Sequence, residues 1–161
     1  GGDWGLACNA VHFMDMLAWW SGAAPRAVDT NLLEPAWSPA KRKGFWEVHG
    51  SMSVTYADGS LLILNADHST EPVTIEADAG GMAWLINESD GVARRSDGFS
   101  QPGVYELQSE MTPRLVDSIL TSGTCALPTL GASVGIHRVL LQGLSDHWAR
   151  SGGRKNGVPI T

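Results

Sequence analysis

In the run Cys8-Asn9-Ala10-Val11-His12-Phe13-Met14-Asp15, a histidine and a carboxylate stand three apart inside an otherwise apolar stretch. On a helix that spacing stacks Asn9, His12 and Asp15 into one polar stripe, while Val11, Met14, Leu17 and Ala18 turn elsewhere. Imidazole is the side chain best suited to exchange a proton near neutrality, and a carboxylate beside it fixes its tautomer. The stripe therefore fits a proton-transfer group lining a pocket. The same residues also fit a plainer arrangement, in which Asn9 caps the helix start and His12 is a satisfied core histidine. Both readings stay open from these residues alone.

The elements that must position the stripe follow from the period of the apolar residues. Residues 6–20 read as a helix, stopped by Ser21-Gly22 with Pro25 beyond it. Residues 26–33 read as a strand, and 34–43 as a loop set by Pro35, Pro39 and the basic run Lys41-Arg42-Lys43. From residue 45 the period becomes two. Residues 45–56 alternate, Asp58-Gly59 supplies a hairpin turn, and 61–65 returns. Within 45–49 the alternation puts Phe45, Glu47 and His49 on one face, with Trp46 and Val48 on the other. Short strands are expected at 72–77, 82–87, 92–95 and 103–107. The last zone is helical at 111–120 and 128–148, the second helix carrying Leu130, Val134, His137, Leu141 and Leu144 on its packing face, with 158–161 as an edge strand. This order predicts an α+β fold: one large, mostly antiparallel sheet with helices packed on one face and the other face available for oligomerisation.

At 161 residues the chain fits a single domain, 1–161, and 43% hydrophobic with 17% charged residues is the composition of a folded globule. A net charge of −6 with only 11 Lys and Arg argues against a nucleic-acid surface. The apolar runs fall far short of the ~20 residues a membrane span needs, so no membrane is expected. Cys8 and Cys125 lack CxxC spacing, which predicts neither a disulfide framework nor a zinc site and makes a reducing cytoplasm the expected compartment. His68 and His147 fall in a turn and a helix end without a ligand-spacing partner, and no metal is expected. No GxGxxG follows a strand and no GxxxxGK[ST] occurs, so no cofactor-binding residue is expected in this chain. The start at Gly1, a few residues before a helix, reads as a cut from a longer protein.

Gly1-Gly2, the Cys8-to-Leu17 run, Gly44-Phe45-Trp46-Glu47-Val48-His49-Gly50-Ser51-Met52 with its Asp58-Gly59 turn, Ile136-His137-Arg138-Val139-Leu140-Leu141 and the closing Val158-Pro159-Ile160-Thr161 together resemble the C-terminal domain of Gfo/Idh/MocA oxidoreductases. The resemblance runs nearly end to end. It implies an N-terminal Rossmann domain, absent from this chain, that binds NAD or NADP. It also implies a sheet domain that holds a sugar, inositol or nucleotide-sugar substrate and forms homo-oligomers, dimer or tetramer, through the sheet. Within the family's Asp-x-Gly-x-His-x-x-Asp pattern, His12 matches the histidine that shuttles the substrate hydroxyl proton and Asp15 matches an orienting Asp. Cys8 stands where the first Asp would be and Ala10 where the Gly would be, and both are departures.

A thiol one turn before the histidine shares its proton poorly, whereas Asn9 can bind sugar hydroxyls as donor and acceptor without acting as a base. His12 is thus the expected catalytic residue, with Asn9, Asp15 and Cys8 as substrate-binding or orienting groups. Lys41 and Arg42 are candidates for a substrate phosphate, and Trp37, in a polar loop, for ligand contact. Two function classes follow. One is the substrate and oligomerisation domain of an NAD(P)-dependent dehydrogenase acting on a sugar-like hydroxyl, the isolated chain being inactive and binding no dinucleotide. The other is a non-catalytic binding or assembly module of the same fold.

Overall fold

The computed structural model describes residues 2–104, 106–153 and 157–160. The chain divides into two compact units, residues 1–71 with 129–161, and residues 72–128. The fold is α+β, and every strand pairing is antiparallel.

The first unit opens with α1 (Leu6–Ser21), which ends where Gly22 adopts a left-handed conformation and donates back to the Ala18 carbonyl at 2.9 Å. Strands β1 (Pro25–Leu33), β4 (Gly50–Tyr56) and β5 (Leu61–Ala66) form a three-stranded sheet in the order β1-β4-β5. β2 (Ser38–Pro39) and β3 (Trp46–Glu47) pair as a separate two-residue ribbon. The closing helix α3 (Leu130–Arg150) starts at Thr129, whose hydroxyl accepts from the Ala132 N–H.

Alternation along β4 and β5 makes the core. Met52, Val54, Tyr56, Leu64 and Ala66 point to one face and are covered by Leu6, Ala10 and Met14 of α1 and by Ile136, Leu140 and Leu144 of α3. Each of the larger side chains contributes about 1.5–3 kcal/mol by leaving water. Tyr56 lies at this junction and donates its hydroxyl to the Met14 carbonyl at 2.8 Å. Burial, with the Asp15 charge nearby, pushes that phenol up to about 12, so it stays a donor across the working pH range. The opposite sheet face is bare: Leu32, Leu61 and Ile63 are exposed there, among Ser51, Ser53 and Thr55.

The second unit is a meander of β6 (Ile75–Ala79), β7 (Met82–Asn87), β8 (Val92–Arg95) and β9 (Ser100–Pro102), followed by α2 (Gln108–Ser122). The turn between β8 and β9 is held by Arg95, which makes two bonds to Asp97, at 2.9 and 2.6 Å, and lies over the Trp84 and Phe99 rings. That pairing holds the Asp97 carboxyl down to about 2.

Several expectations are corrected. The described strands form three sheets rather than one large sheet, because β6–β9 pair only with one another, as a separate meander. Residues 45–56 are two strands, broken where Val48 and His49 leave the ladder before Gly50. The expected strand at 103–107 gives way to β9, three residues earlier, and Tyr105 lies outside the described residues. Residues 158–160 are not a strand, although the Pro159 carbonyl accepts from the Trp46 N–H at 2.9 Å; Gly1 and Thr161 lie outside the described residues. α2 buries none of its described residues, so it is not the packed sheet-covering helix that was expected.

On α3 the inward face is Ile136, Leu140, Leu144 and His147, while Leu130, Val134, His137 and Leu141 are exposed. Both sets have helical spacing. Gly143 decides between them, since a Cβ there would lie 2.9 Å from Val28 Cβ, and its absence lets β1 close onto that side. His147 is consequently almost fully buried and accepts from Trp37 Nε1 at its Nδ1, 3.1 Å away. Burial, then the Arg150 charge, lowers its pKa, against a contact with the Leu33 carbonyl that raises it. The folded protein therefore holds His147 neutral. As pH falls below about 6.5 the unfolded chain takes up a proton that the native state refuses, and stability falls by up to about 1.4 kcal/mol per pH unit until the lowered native pKa is reached. Urea midpoints from about pH 7.5 to about pH 5.5 should drop in the wild type and drop less steeply in His147→Gln.

No helix among the described residues is long and apolar enough to cross a membrane.

Candidate functional site

The N-terminal end of α1 faces β3 and the loop around β2, and between them opens a cleft of about 380 Å³. Its wall is built first by Glu47. Outward alternation on β3 carries this carboxylate under the helix end, where Oε2 accepts from the Ala7 N–H at 2.9 Å and Oε1 from the Cys8 N–H at 3.1 Å. These are helix-terminal donors without partners inside the helix, and the positive end of the helix dipole favours the carboxylate there. Burial raises the Glu47 pKa above the ordinary carboxylate value, and the helix N–H bonds oppose that rise.

Asn9 is not the helix cap. The N-cap is Gly5, and Asn9 reaches back with Nδ2 to the Trp4 and Gly5 carbonyls, at 2.6 and 3.2 Å. Its Oδ1 is the half of the amide left to accept from a ligand. Cys8 is half-buried at the same end of the helix and also lines the cleft. Lys41 and Arg42, both exposed, form the basic rim, and Arg42 lies over the Phe45 ring at 5.8 Å. Asp3, Ser38 and His49 add further polar groups to the lining.

Of the residues expected to form a site, Cys8, Asn9, Lys41 and Arg42 therefore meet in one cleft, together with Glu47 and His49 from the alternating face of residues 45–49. His12 lies outside its lining. It is exposed on α1 one turn beyond Cys8, which at 1.5 Å per residue is about 6 Å further along the same face. Asp15 is half-buried another turn on, where its charge acts on Tyr56. Trp37 is turned away from the cleft. It packs edge-on against Trp148 at 5.2 Å and bonds His147, so its place in a polar loop conceals a structural role.

Asp3 and Ser38 were missed. Nothing in the spacing of residues 3 and 38 links them to α1. Asp3 is brought in because Gly2 and Asp3 run beside the end of β5, the Asp3 N–H donating to the Ser69 carbonyl at 3.0 Å and Trp4 Nε1 to the Asn65 carbonyl at 2.8 Å. At this lip His49 faces His68, a residue for which no role is expected from spacing, with ring centroids 3.9 Å apart.

Chemically, the cleft offers an amide for hydroxyl recognition, two cations at its mouth, a half-buried carboxylate of raised pKa in its wall, and an accessible imidazole one turn outside. Comparison with models of protein families, with curated proteins and with solved structures found no match in any of the three.

Proposed function

We propose that this chain is the substrate-binding and oligomerisation domain of an NAD(P)-dependent oxidoreductase, of the Gfo/Idh/MocA kind, acting on a hydroxyl of a sugar, inositol or nucleotide sugar in the cytoplasm. The observation that carries the reading is the polar stripe of α1. It begins inside a cleft of monosaccharide size, at Cys8 and Asn9, and emerges one turn later as the exposed His12. Asn9 Oδ1 accepts a substrate hydroxyl, Lys41 and Arg42 meet a phosphate if the substrate carries one, and His12 takes the proton of the reacting hydroxyl as hydride leaves the adjacent carbon for nicotinamide. NAD or NADP, supplied by a Rossmann domain outside this chain, would be the hydride acceptor. The bare sheet face with Leu32, Leu61 and Ile63 supports association with a second copy of the chain, as a dimer or tetramer.

A second reading has its own observation. Cys8 lines the cleft where the resembling family has a carboxylic acid, which favours a module that binds a sugar-like ligand without turning it over. Calorimetric titration of the chain with UDP-glucose, glucose and inositol tests the shared part of both readings. Saturable binding is expected, and Arg42→Glu should weaken the phosphate-bearing ligand by about 10- to 100-fold while leaving the neutral ones nearly unchanged. Absence of binding for all three ligands contradicts the assignment of the cleft.

A further inference from the structure

Three strand ends of the first unit converge on a group of side chains that the oxidoreductase reading does not use. Leu33 of β1, Gly50 of β4 and Ala66 of β5 stand in one row across the sheet. Glu34 and His49 therefore leave the sheet side by side, the Glu34 N–H donating to the His49 carbonyl at 2.8 Å, and His68 follows two residues after β5. One donor atom from each of Glu34, His49 and His68 lies within 4.8 Å of the other two. His68 Nε2 is 3.5 Å from Glu34 Oε1, and His49 Nε2 is 3.3 Å from Asp3 Oδ1.

We infer that Glu34, His49 and His68 form a binding site for one divalent transition-metal ion of the Zn2+ class, with Asp3 beside His49. Two imidazoles and a carboxylate are the donor set that borderline ions such as Zn2+ prefer, whereas Mg2+ and Ca2+ favour all-oxygen shells. Bonds of about 2.0–2.2 Å at tetrahedral angles place donor atoms about 3.3–3.6 Å apart, so the cluster needs to contract by about 1.5 Å at most. Burial shows which groups move. The His49 side chain is 8% exposed and fixed, while those of His68 and Glu34 are 68% and 45% exposed and free to turn inward. Asp3 meets the requirement that a ligating histidine have a carboxylate near its ring, as a fourth ligand or as the group that orients the imidazole. His49 and Asp3 also line the cleft, which puts the ion at its lip. An ion held there by Glu34, His49 and His68 alone, with Asp3 orienting His49, keeps its fourth tetrahedral position open to water or to a ligand oxygen.

This inference does not rest on the oxidoreductase reading. The test is titration of the chelator-stripped chain with Zn2+ alone, followed by calorimetry and by metal content after dialysis. One equivalent should bind saturably. His68→Ala and Glu34→Gln, both at exposed positions that leave the core intact, should each weaken binding by at least about tenfold, while His12→Ala should not. Co2+ bound to the wild-type chain should show visible absorption that is lost in His68→Ala. No saturable binding, or binding of equal strength in His68→Ala and Glu34→Gln, overturns the site, the latter by placing the ion elsewhere.

Discussion

His12→Ala should lower turnover by about 10²- to 10⁴-fold, the usual contribution of a positioned general base, when the chain is assayed within the proposed oxidoreductase, joined to a dinucleotide-binding domain. His12 is exposed on the stripe that begins in the cleft, so its removal takes nothing from the core formed by Leu6, Ala10 and Met14. Unfolding midpoints should therefore match the wild type, and substrate affinity, proposed to rest on Asn9, Lys41 and Arg42, should change little. The loss belongs in kcat, because the imidazole is needed only as the hydroxyl proton departs. A rise in KM with unchanged kcat would make His12 a binding group instead.

Gly50→Ala should be the most disruptive small substitution in the first unit. Gly50 has φ +113, a region side chains avoid, and a Cβ there would lie 2.6 Å from the Leu32 carbonyl oxygen and 2.8 Å from Leu33 Cα. Both are backbone atoms of the neighbouring strand, so β1 has to move. Adding backbone strain of about 1–3 kcal/mol to overpacking of about 1–3 kcal/mol predicts a loss of about 2–6 kcal/mol, read as a lowered urea midpoint. The shift would also part Glu34 from His49, whose backbones bond through this row. A midpoint close to the wild type would mean that β1 and β4 are less tightly joined than their register implies.

Much of this was legible in the residues, for local reasons. α1 was readable to within a residue because Ser21-Gly22 ends an apolar run, and the β4-β5 hairpin because Asp58-Gly59 stands between two alternating segments. The alternation of residues 45–49 also placed Glu47 and His49 on one face, where they line the cleft. What escaped depends on contacts between distant segments. The inward face of α3 was misread because both of its apolar rows have helical spacing, and the choice rests on the lack of a Cβ at Gly143 against Val28. Trp37 looked like a free loop aromatic, yet its partners His147 and Trp148 lie more than a hundred residues away. Glu34, His49 and His68 have no motif spacing, and only the strand register brings them together.

The central claim is that the cleft and His12 serve hydride transfer from a sugar-like hydroxyl. It is tested by the formation of reduced nicotinamide by the chain joined to a dinucleotide-binding domain, with NAD and NADP each offered glucose, inositol and UDP-glucose. Turnover with at least one pairing is expected, lowered by about 10²- to 10⁴-fold in His12→Ala while that substrate still binds. Tight binding of both cofactor and substrate with no reduction of nicotinamide would contradict it and leave a binding module in which Cys8 stands in place of a working acid.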